Sequence, residues 1–149
     1  MANIHHNTGN AGEFYVLAQL AQRGFIAGKT DDGQTLVDVI VTSPGNLKSV
    51  NIQVKTRSGE GDGWMMSEKN EEAFDNLWYV LVQLNGTEIL PDFFVFHSSA
   101  IGPWLKNDHA TWLANPTRHG KPRKDTKMRR FKPQSLELAE AKGNWDSMF

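Results

Sequence analysis

The chain of 149 residues has no cysteine, which excludes a disulfide scaffold, a cysteine nucleophile and any zinc site built on thiolates. It has no apolar run near the roughly 18 residues that a membrane-spanning helix needs. Met1 to Gly12 is polar and lacks the charged-then-apolar order of a secretory signal. An intracellular, cytoplasmic protein is therefore the expectation. There is no internal repeat and no linker-like segment, so residues 1–149 read as one domain, with 39% hydrophobic residues to build a core.

Net charge is also scarce, with 16 Lys+Arg against 17 Asp+Glu. The resulting −1 would argue against a nucleic-acid partner only if the charges were evenly spread. They are not. The stretch 118–132 ("RHGKPRKDTKMRRFK") holds eight cations, Arg118, Lys121, Arg123, Lys124, Lys127, Arg129, Arg130 and Lys132, and one acid, Asp125, for a net +7. The rest of the chain holds eight cations and 16 acids and stands at −8. An Arg/Lys mixture at this density suits phosphate oxygens, although a solvated, mobile loop has the same composition. Phe131 and the nearby Trp112 are candidates either for stacking on bases or for packing in the core. Trp64, Trp78, Trp104 and Trp145 read as core and lid residues.

Hydrophobic spacing predicts an α/β domain. Phe14, Leu17, Ala18 and Ala21 recur at helical intervals over 11–22, with Val16 and Leu20 beside them, Asn10 as a cap and Gly24 as a stop. Short strands follow at 25–30, 36–42 and 49–56, separated by turn residues at Asp31-Asp32-Gly33 and Pro44-Gly45-Asn46, and the last two read as a hairpin. A flexible loop at 58–63 leads to a polar helix at 68–75. Strands at 77–84 and 93–97, two short helices at 101–106 and 110–113, and a helix at 134–142 complete the order. This is helix, three strands, helix, two strands, with a mixed sheet.

Four residues stand out from this pattern. Asp38 interrupts the apolar run "LVDVIVT", where an unpaired carboxylate is costly. Gln53 and Lys55 sit two apart on the partner strand and so share a face, beside Asp38 if the strands pair. Glu13 lies in the first turn of the first helix, on the side of Leu17 and Leu20. Two carboxylates, an amide oxygen and an ammonium would then meet. Hard oxygen ligands suit Mg²⁺, which keeps waters and binds phosphate oxygens. A lysine at its edge can orient or deprotonate the attacking water, or offset charge at phosphorus. The physical reading is metal-dependent phosphodiester hydrolysis. Simpler roles are also available: a capping-box carboxylate for Glu13, a cross-strand ion pair for Asp38 and Lys55, and an exposed polar side chain for Gln53.

This arrangement resembles the PD-(D/E)XK nuclease superfamily, with its restriction-endonuclease-like αβββαβ core. Asp38 matches the acid of the second core strand and Gln53-Val54-Lys55 matches the (D/E)-X-K of the third. Glu13, followed by "LAQLAQRGF" (17–25), is similar to the first helix of archaeal Holliday junction resolvase-type nucleases, and "LPDFFVF" (90–96) and "NWD" (144–146) are similar to small prokaryotic and phage proteins of this core. The match covers residues 9–84. Val37 stands where the motif has proline, and Gln53 where it has an acid. The resemblance implies a Mg²⁺ cofactor, with Mn²⁺ as a substitute, on Glu13, Asp38 and Gln53. It implies Lys55 beside the attacking water, and DNA, branched or repair-type, as substrate. Arg57, Arg118, Lys121, Arg123, Lys124, Lys127, Arg129 and Arg130 are then the backbone-binding candidates, and a homodimer is plausible for so small a domain. The alternative is a nuclease-fold module that binds nucleic acid, or a protein partner, without cutting; an RNA substrate is a further option.

Overall fold

The apolar runs of the middle of the chain form a five-stranded sheet. The computed structural model describes residues 4–31, 33 and 35–149, with side chains from Asn7 onward. Asp32 of the expected turn and the side chains of His5 and His6 lie outside the described residues. Strands β1 (Ile26–Lys29), β2 (Val39–Thr42) and β3 (Ser49–Ser58) form an antiparallel meander, with Lys29 opposite Val39 and Val39 opposite Ile52. β5 (Leu77–Leu84) lies parallel to β3, and β6 (Asp92–His97) antiparallel to β5. The hairpin, the two later strands and the mixed character of the sheet follow the sequence pattern. Among the described residues, three α-helices flank the sheet: α1 (Ile4–Gln22), α2 (Ser98–Ala114) and α3 (Ser135–Ala141).

Strand alternation sorts two cores onto the two faces of the sheet. On one face, Val39, Val41, Val50, Ile52, Val54, Val80 and Val82 meet Val16 and Leu20 of α1, with Trp145 and Met148 from the C-terminal segment. On the other, Tyr79 and Leu81 meet Ile101 and Leu105 of α2, together with Trp64, Met66 and Phe131. Each such buried side chain contributes about 1.5–3 kcal/mol. The tail is therefore structural: Trp145 packs on Phe93 with ring centroids 5.5 Å apart, and Phe149 stacks on Phe25 at 4.8 Å.

The structure corrects several expectations. α1 starts at Ile4, so Asn10 lies inside it and Glu13 is mid-helix, not in a first turn. Phe14 and Ala18 face outward, because the buried row is Gly12, Val16 and Leu20, spaced by four. A Cβ on Gly12 would stand 1.8 Å from Thr56 Oγ1. Glycine is what lets α1 lie so close against β3. The two short helices of 101–113 are one continuous helix through Pro103, and the helix expected at 68–75 is a single 3₁₀ turn, Glu68–Glu71. A second sheet was not anticipated. β4 (Trp64–Ser67) pairs antiparallel with β7 (Met128–Phe131), so part of the basic stretch is a strand. Trp64, Met66, Arg129 and Phe131 turn inward, and Phe131 makes edge contacts with Phe96 and Trp104 at 5.3 and 5.1 Å.

Candidate active site

β2 stops at Val39 while β3 continues for several residues beyond the pairing, and the candidate site lies at this divergence. Asp38 is the last residue held to β3: its N–H donates to Ile52 O at 2.9 Å and its carbonyl accepts from Thr30 N at 2.9 Å. Its side chain then extends the ladder, Oδ2 accepting the Val54 N–H at 2.7 Å. The carboxylate thereby takes the place of the strand that has ended. Burial raises the Asp38 pKa above the ordinary carboxylate value; the Val54 hydrogen bond opposes this, the negative charge of Glu13 adds to it, and Lys55 and Lys29 offset it.

Glu13 approaches from the α1 side. Its Oε2 lies 3.1 Å from Lys29 Nζ of β1, an ion pair with both side chains largely covered. Lys29 has no place in the sequence motif. Its only cue was alternation on a short strand, which puts it opposite Val39 on the helix side. Lys55 lies beyond Gln53 on the other face, and burial lowers its pKa, with Asp38 pulling it back up. Glu13, Asp38, Lys55 and Lys29 thus form one electrostatically coupled group. Crowding of two carboxylates around a half-buried point is the condition that a bound cation relieves.

Gln53 is buried, and it is tied on the side away from α1. Its Oε1 accepts from Asn70 Nδ2 at 2.7 Å; the same nitrogen donates to Tyr79 Oη at 3.0 Å, and Asn70 Oδ1 accepts from Ser67 N at 2.9 Å. Desolvation raises the Tyr79 pKa, as does the charge of Asp38, with the Asn70 bond opposing. Asn70 and Tyr79 were not legible as site residues, since Asn70 falls in the polar run "EKNEE" and Tyr79 in an apolar strand. Among the described residues, no group of three or more His, Cys, Asp or Glu side chains is placed to hold a metal. A cation here would rest on two carboxylates and one amide oxygen, a hard-oxygen set that fits Mg²⁺ or Mn²⁺ with water and phosphate filling the remaining positions.

The cations divide into two groups. Arg57, on the Lys55 face, is immobilised: its guanidinium lies 3.7 Å from the Trp64 ring centroid and donates to Gln83 Oε1 and, at 3.1 Å, to Gly63 O. It borders an open cleft of about 510 Å³ with Gly59, Glu60 and Asn85. Arg129 is almost covered and paired with Glu71 at 2.5 Å; Arg130 and Lys132 are paired with Asp62 at 3.4 and 2.9 Å. Arg123 lies over Trp112, 4.8 Å from the centroid, and donates to Asn115 O at 2.8 Å. Arg118, Lys121, Lys124 and Lys127 are exposed and have no acidic partner among the described residues. Their loop is anchored at Glu68 N–H, which donates to Lys127 O at 2.9 Å, two residues from Asn70.

No protein-family model matches the sequence, and no curated protein matches it. Among solved structures, the fold is similar to that of the bacterial homing endonuclease I-Ssp6803I, with a TM-score of 0.53 and 13% identity, covering 95% of this chain and 88% of that one. The chain has a nuclease-like α/β fold. No helix among the described residues is long and apolar enough to cross a membrane.

Proposed function

We propose that the chain is a divalent-metal-dependent endonuclease of the PD-(D/E)XK type, in a Gln-X-Lys variant, that hydrolyses phosphodiester bonds of DNA. The observation that carries this reading is the Asp38 carboxylate held on the Val54 N–H where β2 and β3 diverge, with the charges of Glu13 and Lys55 around it. The likeness to a homing endonuclease fold supports it. Asp38 would be the central ligand, with Glu13 and Gln53 Oε1 completing the set. Mg²⁺, when bound, supplies charge neutralisation at the phosphate and a more acidic water. Asp38 holds its ionised carboxylate against the Val54 N–H, which fixes its direction. Lys55, desolvated and beside Asp38, holds or receives a proton near the scissile phosphate and offsets its developing charge. Glu13 would have to give up its Lys29 partner to hold a metal. Arg118, Lys121, Lys124 and Lys127, with Arg123 and Arg57, bind the backbone, while Arg129 and Arg130 shape the β4–β7 ribbon beside it. Branched or repair-type DNA, and a homodimer acting on it in the cytoplasm of a prokaryotic or phage-infected cell, fit a domain with little surface for sequence reading.

A second reading has one observation in its favour. Gln53 carries no charge and its oxygen already serves Asn70, as in a fold that binds nucleic acid without cutting it. Supercoiled plasmid and four-way-junction cleavage, with Mg²⁺ and with Mn²⁺, separates the two. Wild type is expected to cut, and Asp38→Ala and Lys55→Ala to lose at least about 10²-fold. Cleavage unaffected by either substitution refutes the site. Salt-sensitive binding without cleavage favours the binding module. An RNA substrate in the same assay tests the ribonuclease option.

A further inference from the structure

An amide and a carboxylate make different demands at a metal site. A carboxylate presents two equivalent oxygens, and either rotation gives an acceptor. An amide presents one oxygen and one NH₂, and the wrong rotation aims a donor at the cation. A glutamine that serves as a ligand therefore needs a partner to choose its orientation.

The surroundings of Gln53 contain such a partner, with a polarity that the backbone dictates. Ser67 N–H can only donate, so the Asn70 atom 2.9 Å from it is the oxygen. The Asn70 nitrogen then faces β3, and a nitrogen of this kind can only donate. The Gln53 atom 2.7 Å from it must be Oε1. Tyr79 Oη, 3.0 Å from the same nitrogen, takes its second proton. Asn70 is 1% exposed and Gln53 7%, so water does not compete for these positions. The direction of the Gln53 amide thus runs back through Asn70 to a main-chain N–H. Among the described residues, Oε1 accepts from Asn70 and from no other group.

We propose that Asn70 is a positioning residue: it fixes the rotation of the Gln53 amide so that its oxygen, and not its NH₂, is presented for a hard divalent cation. This rests on the reading of Gln53 as a ligand given above. It also accounts for the pairing of a neutral residue at the acidic position of the motif with a fully buried asparagine on the crossover between β3 and β5.

The test uses Mn²⁺ titrated calorimetrically into the full chain without DNA, with thermal melting as the check on folding. Asn70→Asp keeps an acceptor for Ser67 N–H and the same shape, but offers Gln53 an acceptor and so reverses its amide. It is expected to weaken Mn²⁺ binding about 10–100-fold, the range for partners that orient a metal ligand. Asn70→Leu is expected to weaken it to a similar degree. In a Gln53→Glu background, Asn70→Leu is expected to change Mn²⁺ affinity less than about threefold, because a carboxylate needs no orientation. A merely structural role would move both backgrounds alike. If wild type binds Mn²⁺ and Asn70→Asp binds it equally, or if the loss in Asn70→Leu is the same in both backgrounds, the positioning role is overturned alone. If wild type neither binds Mn²⁺ nor cleaves DNA, the metal site falls and the positioning role with it.

Discussion

Replacing Gly12 with alanine tests how α1 delivers Glu13 to the sheet. A Cβ at position 12 would lie 1.8 Å from Thr56 Oγ1 and 2.9 Å from both Thr56 Cβ and Cγ2. Ordinary contact begins near 3.5 Å, so the first distance is short by about 1.7 Å. Rotating Thr56 removes the hydroxyl clash, but Thr56 Cβ is fixed by the β3 backbone and remains too close. The helix must therefore move. Overpacking of this kind costs about 1–3 kcal/mol, against a gain of up to ~1 kcal/mol for alanine over glycine in a helix. A net loss of about 1–2 kcal/mol lowers the melting temperature of a domain this size by roughly 2–8 °C. Thr56 Oγ1 is buried and has no hydrogen-bond partner, so Thr56→Ala sacrifices no bond. Combined with Gly12→Ala, it should recover part of the loss. Since Glu13 is the next residue, a displacement near 1 Å should also reduce cleavage about 10²-fold. Thermal melts and plasmid cleavage on the four proteins of this cycle give both readouts. Gly12→Ala melting at or above wild type, with Thr56→Ala giving no rescue, would refute the close approach as the determinant of Glu13's position.

Other consequences follow from the same geometry. Burial and the charge of Glu13 favour the neutral form of Asp38 in the folded state, so the unfolded chain ionises first and stability falls as pH rises from the ordinary carboxylate range through the raised value. Asp38→Asn keeps an acceptor for Val54 N–H and removes this penalty. Metal-free melts should show it equal to wild type at low pH and more stable at neutral pH, by about 1 kcal/mol, while cleavage is lost; lower stability than wild type at neutral pH would contradict the assignment. Lys121→Ala with Lys124→Ala should weaken DNA binding alike for all sequences and reduce the slope of log K against log salt by about two. An unchanged slope would place the DNA elsewhere.

What could be read from the sequence was set by where local pattern and tertiary demand agree. The hairpin around Pro44-Gly45-Asn46 and the strand "LWYVLVQL" have period and punctuation that only one structure satisfies. Asp38 and Lys55 stood out because charge inside such runs is costly. The start of α1 was obscured by a cap-like Asn10 that the helix overrides, and the orientation of Phe14 by a buried row set by a glycine, which hydrophobic counting ignores. β4 and β7 are four residues each and far apart in sequence, and the cations of "MRRF" hide an alternation in which Arg129 points inward to Glu71. Asn70 owes its place to pairings across the fold and carries no local signal, and Lys29 carries only the alternation of a four-residue strand. The ion pairs of Arg129, Arg130 and Lys132 likewise show why counting charge in 118–132 overstates the cations free for phosphate.

On the proposed reading, side chains from α1, from Asp38 just before β2 and from β3 hold one hard cation. Anomalous diffraction from crystals soaked in Mn²⁺ tests it most directly. A single strong peak bonded to oxygens of Glu13, Asp38 and Gln53, with Lys29 released from Glu13, is expected. A peak held by other residues, or an Asp38 carboxylate still bound only to Val54 N–H at saturating Mn²⁺, would contradict it.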